Sequence, residues 1–97
     1  MRSSLREERE LLMRARSALG RADATSAAAA LDDHARRFPR GELREEREAL
    51  RVHWVTIERG AEAGERALRS FEDRFPRSVF TDVLRVALNR HAIASGE

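Results

Sequence analysis

The sequence predicts an all-α fold built from a repeated helical unit. The segment Leu5–Leu12 returns 38 residues later as Leu43–Leu50 with one residue changed. The segment Arg37–Arg40 returns unchanged 37 residues later as Arg74–Arg77. A period between about 20 and 50 residues is typical of stacked helical repeats. Apolar residues also recur at helical spacing and strand-like alternation is absent, so we expect five helices and no sheet.

The first repeat, about residues 4–39, is predicted to be a pair of helices. Leucines and alanines at helical spacing mark one face of the first helix, which ends shortly before Asp23. Asp23 or Thr25 is placed to cap the second helix, which runs to about Phe38. Pro39 ends this helix because its ring cannot continue the backbone hydrogen bonding.

The second repeat, about residues 42–76, has the same organisation. Its first helix carries Trp54 and an apolar surface that extends further around the helix than in the first repeat. We therefore expect this helix to be buried from more than one side. In the second helix, Gly64 takes the place of Ala27, so each repeat has a small residue where two helices can approach closely. Pro76 ends the repeat.

A fifth helix is predicted over about residues 78–93, with Ser78 as its cap. Its inner face follows a regular helical spacing and comprises Phe80, Val83, Leu84, Ala87, Leu88 and His91. Val79, Val86 and Ile93 recur every seven residues on the opposite face. A stripe of this kind is a candidate surface for self-association or for a partner helix. The alternative is that these are scattered exposed apolar residues, which are normal on protein surfaces.

Composition indicates one domain, residues 1–97, with a thin helical core. The chain is 37% charged and only 5% aromatic, which suits a layer of helices better than a deep core. The 19 basic residues are nearly balanced by 17 acidic ones, for a net charge of +2. A near-neutral chain whose arginines alternate with acidic residues does not indicate a nucleic-acid-binding protein.

Several kinds of protein are excluded or disfavoured by the residues present. The chain has no cysteine, which excludes disulfides, thiol catalysis and cysteine-ligated zinc. No apolar stretch approaches the ~18 residues of a membrane span, and the charged N-terminus is unlike a signal peptide. We therefore expect a soluble domain, cytoplasmic or periplasmic, which can also be part of a longer protein. The sequence leaves the compartment open.

The three histidines, His34, His53 and His91, lie on different predicted helices and have no metal-ligand spacing. A shared metal site is one interpretation, since neutral imidazole is a common ligand. The favoured interpretation is that they are core or half-buried residues, each bonded through one ring nitrogen. His34 supports this view because it takes the position of Phe71 in the other repeat.

The carboxylates of the repeated segments alternate with arginines, as they do on a solvated, ion-paired helix face. Acid–base catalysis by paired carboxylates is the disfavoured alternative. The sequence contains no Gly-rich phosphate loop, nucleophile elbow or zinc motif. We expect a non-catalytic protein without a cofactor or a metal.

Residues at matching positions of the two repeats resemble those of a tetratricopeptide-type repeat. They are Ala22, Asp23, Ala27, Leu31, Phe38 and Pro39 in the first copy, and Gly60, Gly64, Leu68, Phe75 and Pro76 in the second. The resemblance implies a right-handed α-α superhelix of two helical hairpins plus a C-terminal capping helix. It also implies protein–protein binding on a concave surface built from the first helix of each hairpin. The aromatic pair that is usual in those first helices is missing, and only Trp54 offers a substitute.

The Phe-Pro endings resemble in particular the repeats of bacterial envelope proteins. Examples are outer-membrane assembly lipoproteins and the C-terminal parts of some membrane-bound sigma-factor regulators. The resemblance implies a bacterial protein in which the domain is an interaction scaffold or part of a regulator.

The candidate partner-binding residues are those expected to project into the groove of the first helices: Arg9, Arg16, Arg47, Arg51 and Trp54. Arginine binds carboxylates through its planar fork, and tryptophan is a frequent aromatic hot spot. The alternative for Trp54 is a place in the core of the middle helix. The leading hypothesis is an interaction domain that holds a peptide or a partner helix. The alternatives are an Arg-rich regulatory module that binds nucleic acid and a spacer that associates only with itself.

Overall fold

The computed structural model describes residues 2–96, and the ends of the predicted domain, Met1 and Glu97, lie outside the described residues. Five helices are present, and no strand occurs within that range. They are α1 (Arg2–Gly20), α2 (Ala24–Arg37), α3 (Arg44–Arg59), α4 (Ala61–Arg74) and α5 (Thr81–Ala94). The prediction of an all-α fold with five helices is confirmed.

The helices form two hairpins and a fifth helix that packs on the second hairpin. α1 packs most extensively against α2, and α3 packs most extensively against α4. α3 also contacts both α1 and α5, so these three helices form a continuous row. The molecule is a thin slab with dimensions of 45 × 28 × 17 Å. In the described part of the chain, no helix has the length and apolar character of a membrane span.

The turn between α1 and α2 ends one helix and caps the next. Ala22 adopts a left-handed conformation with φ of 56°, and the Asp23 amide donates to the Ala18 carbonyl oxygen at 2.8 Å. Asp23 Oδ1 accepts a hydrogen bond from the Ser26 amide at 3.0 Å, so Asp23 rather than Thr25 caps α2. The hydrogen bond from Ser26 also lowers the pKa of the Asp23 carboxyl.

Both hairpins end in the same way at their Phe-Pro sequences. The amides of Phe38 and Phe75 each donate to the carbonyl oxygen four residues earlier, at 2.8 Å in both cases. Their backbone angles are nearly equal, with φ of −133° and −130° and ψ of 58° and 68°. The following proline disfavours the helical conformation at the preceding residue. The repeated sequence therefore forms a repeated local structure.

The two hairpins bury equivalent positions. Leu31 and Leu68 are fully buried, and so are His34 and Phe71. The prediction that His34 is a core residue is confirmed. In the second hairpin the buried cluster extends to α5 and contains Ala49, Val52, Leu68, Phe71, Leu84 and Leu88. Burial of a large apolar side chain contributes about 1.5–3 kcal/mol, so this cluster is what attaches α5 to α3 and α4.

The close helix crossing in the second hairpin requires a glycine at position 64. A Cβ atom there would lie 2.2 Å from Thr56 Oγ1 and 2.9 Å from Leu88 Cδ1. The equivalent residue of the first hairpin, Ala27, is fully buried in the same cluster as Ala18. Small residues occupy both crossings, as the sequence predicts.

α5 begins later than predicted, at Thr81 rather than at about residue 78, and α3 begins at Arg44, two residues into the second repeat. The Ser78 hydroxyl instead accepts a hydrogen bond from the Phe80 amide at 3.0 Å, within the turn that precedes α5. In both places a turn that follows the Phe-Pro sequence extends further than the helical spacing of the apolar residues suggests.

The inner face of α5 is narrower than predicted. Val83, which we expected on that face, is 66% exposed, and the prediction was wrong. Within residues 2–96, α5 contacts α3 and α4 alone. Its buried residues are therefore limited to Leu84 and Leu88, and Val83 lies beside this stripe.

Candidate functional site

A groove with a volume of about 370 Å³ lies between α3 and α5, in the row formed by α1, α3 and α5. Its lining is mostly apolar and comprises Ala49, Leu50, Phe80, Val83, Leu84 and Ala87, with Arg16, Glu46 and His53 as the polar members. The volume is within the range of ~300–1,000 Å³ that is usual for binding pockets. Of the first helices of the hairpins, α3 forms one wall of the groove and α1 contributes Arg16.

Each main wall of the groove is one face of one helix. α3 contributes residues 46, 49, 50 and 53, and α5 contributes residues 80, 83, 84 and 87. Both sets follow the spacing i, i+3, i+4, i+7, which places their side chains on one side of the helix. Apart from Arg16, sequence reasoning did not assign these residues to a binding site. Their spacing is visible in the sequence, but it marks a shared groove only once α3 and α5 are known to be neighbours.

An ion pair crosses the rim of the groove. Arg16 on α1 donates from Nη2 to Glu46 Oε2 on α3. The Arg16 side chain is 60% exposed, so water screens the pair and its contribution to stability is at most about 1 kcal/mol. The pair is therefore available to exchange partners with charged groups of a bound molecule.

His53 lines the groove from α3. Burial lowers the pKa of its imidazole, and the proximity of His91 on α5 lowers it further. Two neighbouring histidines alone do not make a metal site. Within residues 2–96, no three His, Cys, Asp or Glu side chains come together as a metal site would require.

A second polar cluster is buried between the hairpins, away from the groove. Glu8, His34 and Arg47 are all buried, although two of them carry formal charges. Arg47 Nη1 lies 3.2 Å from His34 Nδ1, and since arginine can only donate, Nδ1 must accept. The other ring nitrogen, Nε2, is then protonated and donates to Glu8 Oε1 at 2.9 Å. The contacts therefore fix His34 as a neutral imidazole with a defined tautomer.

The same cluster joins all of the first four helices. Arg47 Nη1 donates to the Phe38 carbonyl oxygen at 3.2 Å, and Arg47 Nε donates to Glu48 Oε2 at 2.8 Å. Glu48 Oε1 accepts from Arg74 on α4 at 3.0 Å. Glu8 also accepts from the Leu43 amide at 3.1 Å. No buried side-chain nitrogen or oxygen atom of the described residues lacks a hydrogen-bond partner, so the cluster is a closed structural network.

Glycine at position 41 makes room for this network. A Cβ atom there would lie 2.0 Å from Glu8 Oε1. The Glu8 carboxylate therefore rests against the backbone of the connection between α2 and α3. This contact explains how a carboxylate that the repeated sequence places on a charged helix face comes to be buried.

Among the predicted partner-binding residues, Arg47 requires a correction. It is only 7% exposed and is held by the buried network, so it does not project into the groove. Arg9, its counterpart in the first repeat, is exposed on α1 but does not line the groove. Arg16 is the predicted residue that does line it. The error arose because identical sequence does not imply an identical environment: the face of α3 that carries Arg47 packs on the first hairpin, whereas Arg9 on α1 is exposed.

Arg51 and Trp54 face the first hairpin rather than the groove. Arg51 Nη2 pairs with Asp32 Oδ1 of α2 at 2.7 Å. Trp54 Nε1 donates to the Ala24 carbonyl oxygen at 2.9 Å, and its ring packs against the buried clusters of α1 and α2. The guanidinium groups of Arg51 and Arg59 lie over the ring, 5.8 and 5.6 Å from its centre. These contacts favour the alternative interpretation of Trp54, a place in the core of the middle helix, where its side chain is partly buried.

Val79, Val86 and Ile93, the predicted second stripe of α5, are 80%, 50% and 78% exposed. They are therefore surface residues, as predicted, and not part of the core. Val86 and Ile93 lie on the side of α5 opposite to Leu84 and Leu88, which attach the helix to the second hairpin, and Val79 lies in the turn before α5.

Comparisons with known proteins assign no family to the chain. No family model, no curated protein and no solved structure matches it. Functional inference therefore rests on the groove, on the exposed side of α5 and on the residues that form them.

Proposed function

We propose that this chain is a non-catalytic interaction domain that binds a peptide or helix of a protein partner in the groove between α3 and α5. The observation that carries the proposal is the pair of adjacent helical faces that leave an apolar groove of about 370 Å³ open to solvent. An amphipathic helix or an extended peptide binds such a groove by inserting apolar side chains between the two helices.

The polar residues of the groove define an orientation for a bound segment. Arg16 and Glu46 provide one positive and one negative group on the rim, while Val83 and Ala87 belong to the apolar wall on α5. A segment with apolar side chains on one face and a charged group at its edge is complementary to this arrangement. Apolar burial supplies affinity, and the charges set orientation.

Selection from a displayed peptide library, followed by titration of the selected peptides, tests the proposal. The variant Val83→Glu should weaken binding by at least about 10-fold, because an unpaired carboxylate in an apolar contact costs more than ~1.4 kcal/mol. Met13→Glu is the matched control, since Met13 is 65% exposed against 66% for Val83 and lies on α1 outside the groove. Selection that returns no peptide, or peptides that both variants affect equally, would contradict the proposal.

The alternative of nucleic-acid binding has less support from the distribution of charge. Many arginines are engaged in ion pairs with carboxylates; they include Arg16, Arg37, Arg47, Arg51, Arg74 and Arg85. A protein that binds duplex DNA needs arginines free to contact phosphates on one face. We therefore retain protein binding as the proposed function.

The setting of the domain follows from the resemblance alone. The Phe-Pro endings support a domain of a bacterial envelope or regulatory protein, on either side of the inner membrane. In such a protein the groove would be the surface that binds a partner.

A further inference from the structure

The outward side of α5 is a continuous exposed face that the fold does not use. Leu84 and Leu88 attach α5 to α3 and α4, and every residue on the opposite side is exposed. We define this outer face by the residues Val79, Asp82, Val83, Val86, Asn89, Arg90 and Ile93. The six that lie within α5 span about one third of the helix circumference at 100° per residue, and Val79 lies in the turn just before Thr81. Four of the seven are apolar, which is more than a solvated helix face needs.

The sequence of the outer face is symmetric in character about Val86. Asp82 lies four residues before Val86 and Arg90 lies four residues after it. Val79 and Ile93 lie seven residues before and after it. Apolar residues therefore occupy the centre and both ends, and charges of opposite sign stand between them at equal distances from the centre.

This symmetry determines which arrangement of two such faces is complementary. When two copies of α5 pack antiparallel with Val86 on a two-fold axis, Asp82 faces Arg90 of the other copy, and the reverse contact is formed as well. Ile93 then lies near the start of α5 of the other copy, where Val79 precedes the helix. In a parallel pair, each Asp82 would face Asp82 and each Arg90 would face Arg90, which is repulsive.

We propose that the outer face binds a second copy of this chain, through a two-fold antiparallel pair of α5 helices centred on Val86. A closed two-fold interface uses the same patch on both subunits, and this patch complements itself in both charge and apolar character. Asp82 and Arg90 do not line the groove. Val83 belongs to both surfaces, so the two proposals are separated by testing dimerisation at Asp82 and Arg90.

The length of α5 limits the strength of the pair. Its 14 residues extend over only about 21 Å, so the contact is smaller than the ~800 Å² per partner of a standard stable interface. We expect a weak dimer that is in exchange with monomer and that accumulates between ~10 µM and ~1 mM.

Charge reversal at Asp82 and Arg90 tests the arrangement by sedimentation equilibrium. The unaltered chain should approach the dimer mass as its concentration rises. Asp82→Arg and Arg90→Asp should each weaken dimerisation by about 10-fold, because the two-fold axis converts both ion pairs into repulsive contacts. An equimolar mixture of the two variants should form a heterodimer, since each supplies the charge that the other needs. The double variant should dimerise like the unaltered chain.

Two controls keep the result specific to α5. Asp73→Arg reverses an exposed charge on α4 and should leave dimerisation unchanged. Circular dichroism should show equal helix content in all variants. If the unaltered chain is a monomer up to ~1 mM, the outer face serves another occupant and the proposal is wrong. If the chain dimerises but the two variants do not combine with each other, the antiparallel register is wrong.

Discussion

At the scale of single residues, His34 is a titratable side chain held inside the core. It is fully buried between a carboxylate and a guanidinium group. Burial lowers the pKa of its imidazole, the Arg47 charge acts in the same direction, and the hydrogen bond to Glu8 opposes both. The folded protein therefore stabilises the neutral imidazole of His34 relative to the protonated one.

This preference predicts how stability depends on pH. Because the folded pKa of His34 lies below its ordinary value of 6.5, its contribution is fully present above about pH 6.5 and is lost as pH falls through the folded pKa. Urea denaturation at a series of pH values should show the free energy of unfolding declining below pH 6.5. His34→Gln should reduce this decline, since glutamine does not titrate and its amide can still donate to Glu8 and accept from Arg47.

His53 provides the comparison for that experiment. Its pKa is also lowered, by burial and by His91, so His53→Gln should remove its own share of the decline in the same direction. The reduction in the pH-dependent decline of the free energy of unfolding that His34→Gln causes should also be seen in a His53→Gln background. An unchanged pH profile in His34→Gln would show that the buried imidazole is not responsible.

At the scale of helices, the duplicated sequence was enough to predict the elements but not their environments. The Phe-Pro endings and the spacing of the leucines predicted both hairpins because these features act locally. The repeated segment Leu-Arg-Glu-Glu-Arg-Glu led to the wrong prediction for Arg47, because the burial of a side chain depends on contacts with the other hairpin. Glu8 is buried against Gly41, whereas its counterpart Glu46 pairs with Arg16 on the surface. Likewise, the groove between α3 and α5 exists because these helices are adjacent. The spacing of apolar residues within one helix does not reveal which helices are adjacent.

The residues at the helix crossings differ between the two copies in a compensating way. The first hairpin has Ala18 and Ala27 in one buried cluster, and the equivalent residues of the second are Thr56 and Gly64. A larger residue on α3 is thus matched by a smaller one on α4. The Thr56 hydroxyl bonds to the Val52 carbonyl oxygen at 3.0 Å, which holds it against Gly64.

We expect Gly64→Ala to lower the free energy of unfolding by about 1–3 kcal/mol, because the new methyl group overlaps the Thr56 side chain. Thr56→Ala in addition should recover a large part of this loss, since the pair then equals Ala18 and Ala27 of the first hairpin. Urea denaturation of both single variants and the double variant measures the coupling between the two sites. Strictly additive effects would mean that the overlap is relieved elsewhere, for instance by movement of Leu88.

At the scale of the whole molecule, the buried network is the polar connection between the two hairpins. Arg47 on α3 contacts His34 of α2 and the backbone of Phe38, and through Glu48 it is joined to Arg74 of α4. The apolar connection is made separately, by Trp54 and Leu50 packed on the clusters of the first hairpin. The relative position of the hairpins, and with it the shape of the slab, depends on both.

Replacing Arg47 with alanine should therefore have a large effect that reaches both hairpins. The change leaves His34 Nδ1 without its donor and removes one of the two donors to Glu48 and to the Phe38 carbonyl oxygen, which costs about 2–4 kcal/mol. Arg9→Ala is the matched control, because Arg9 occupies the same place in the repeated segment but is exposed, so a change below about 0.5 kcal/mol is expected. Hydrogen exchange should show loss of protection in α2 as well as in α3 for Arg47→Ala alone. If the two variants were equally stable, the network would contribute nothing to holding the hairpins together, and the apolar contacts of Trp54 would be sufficient.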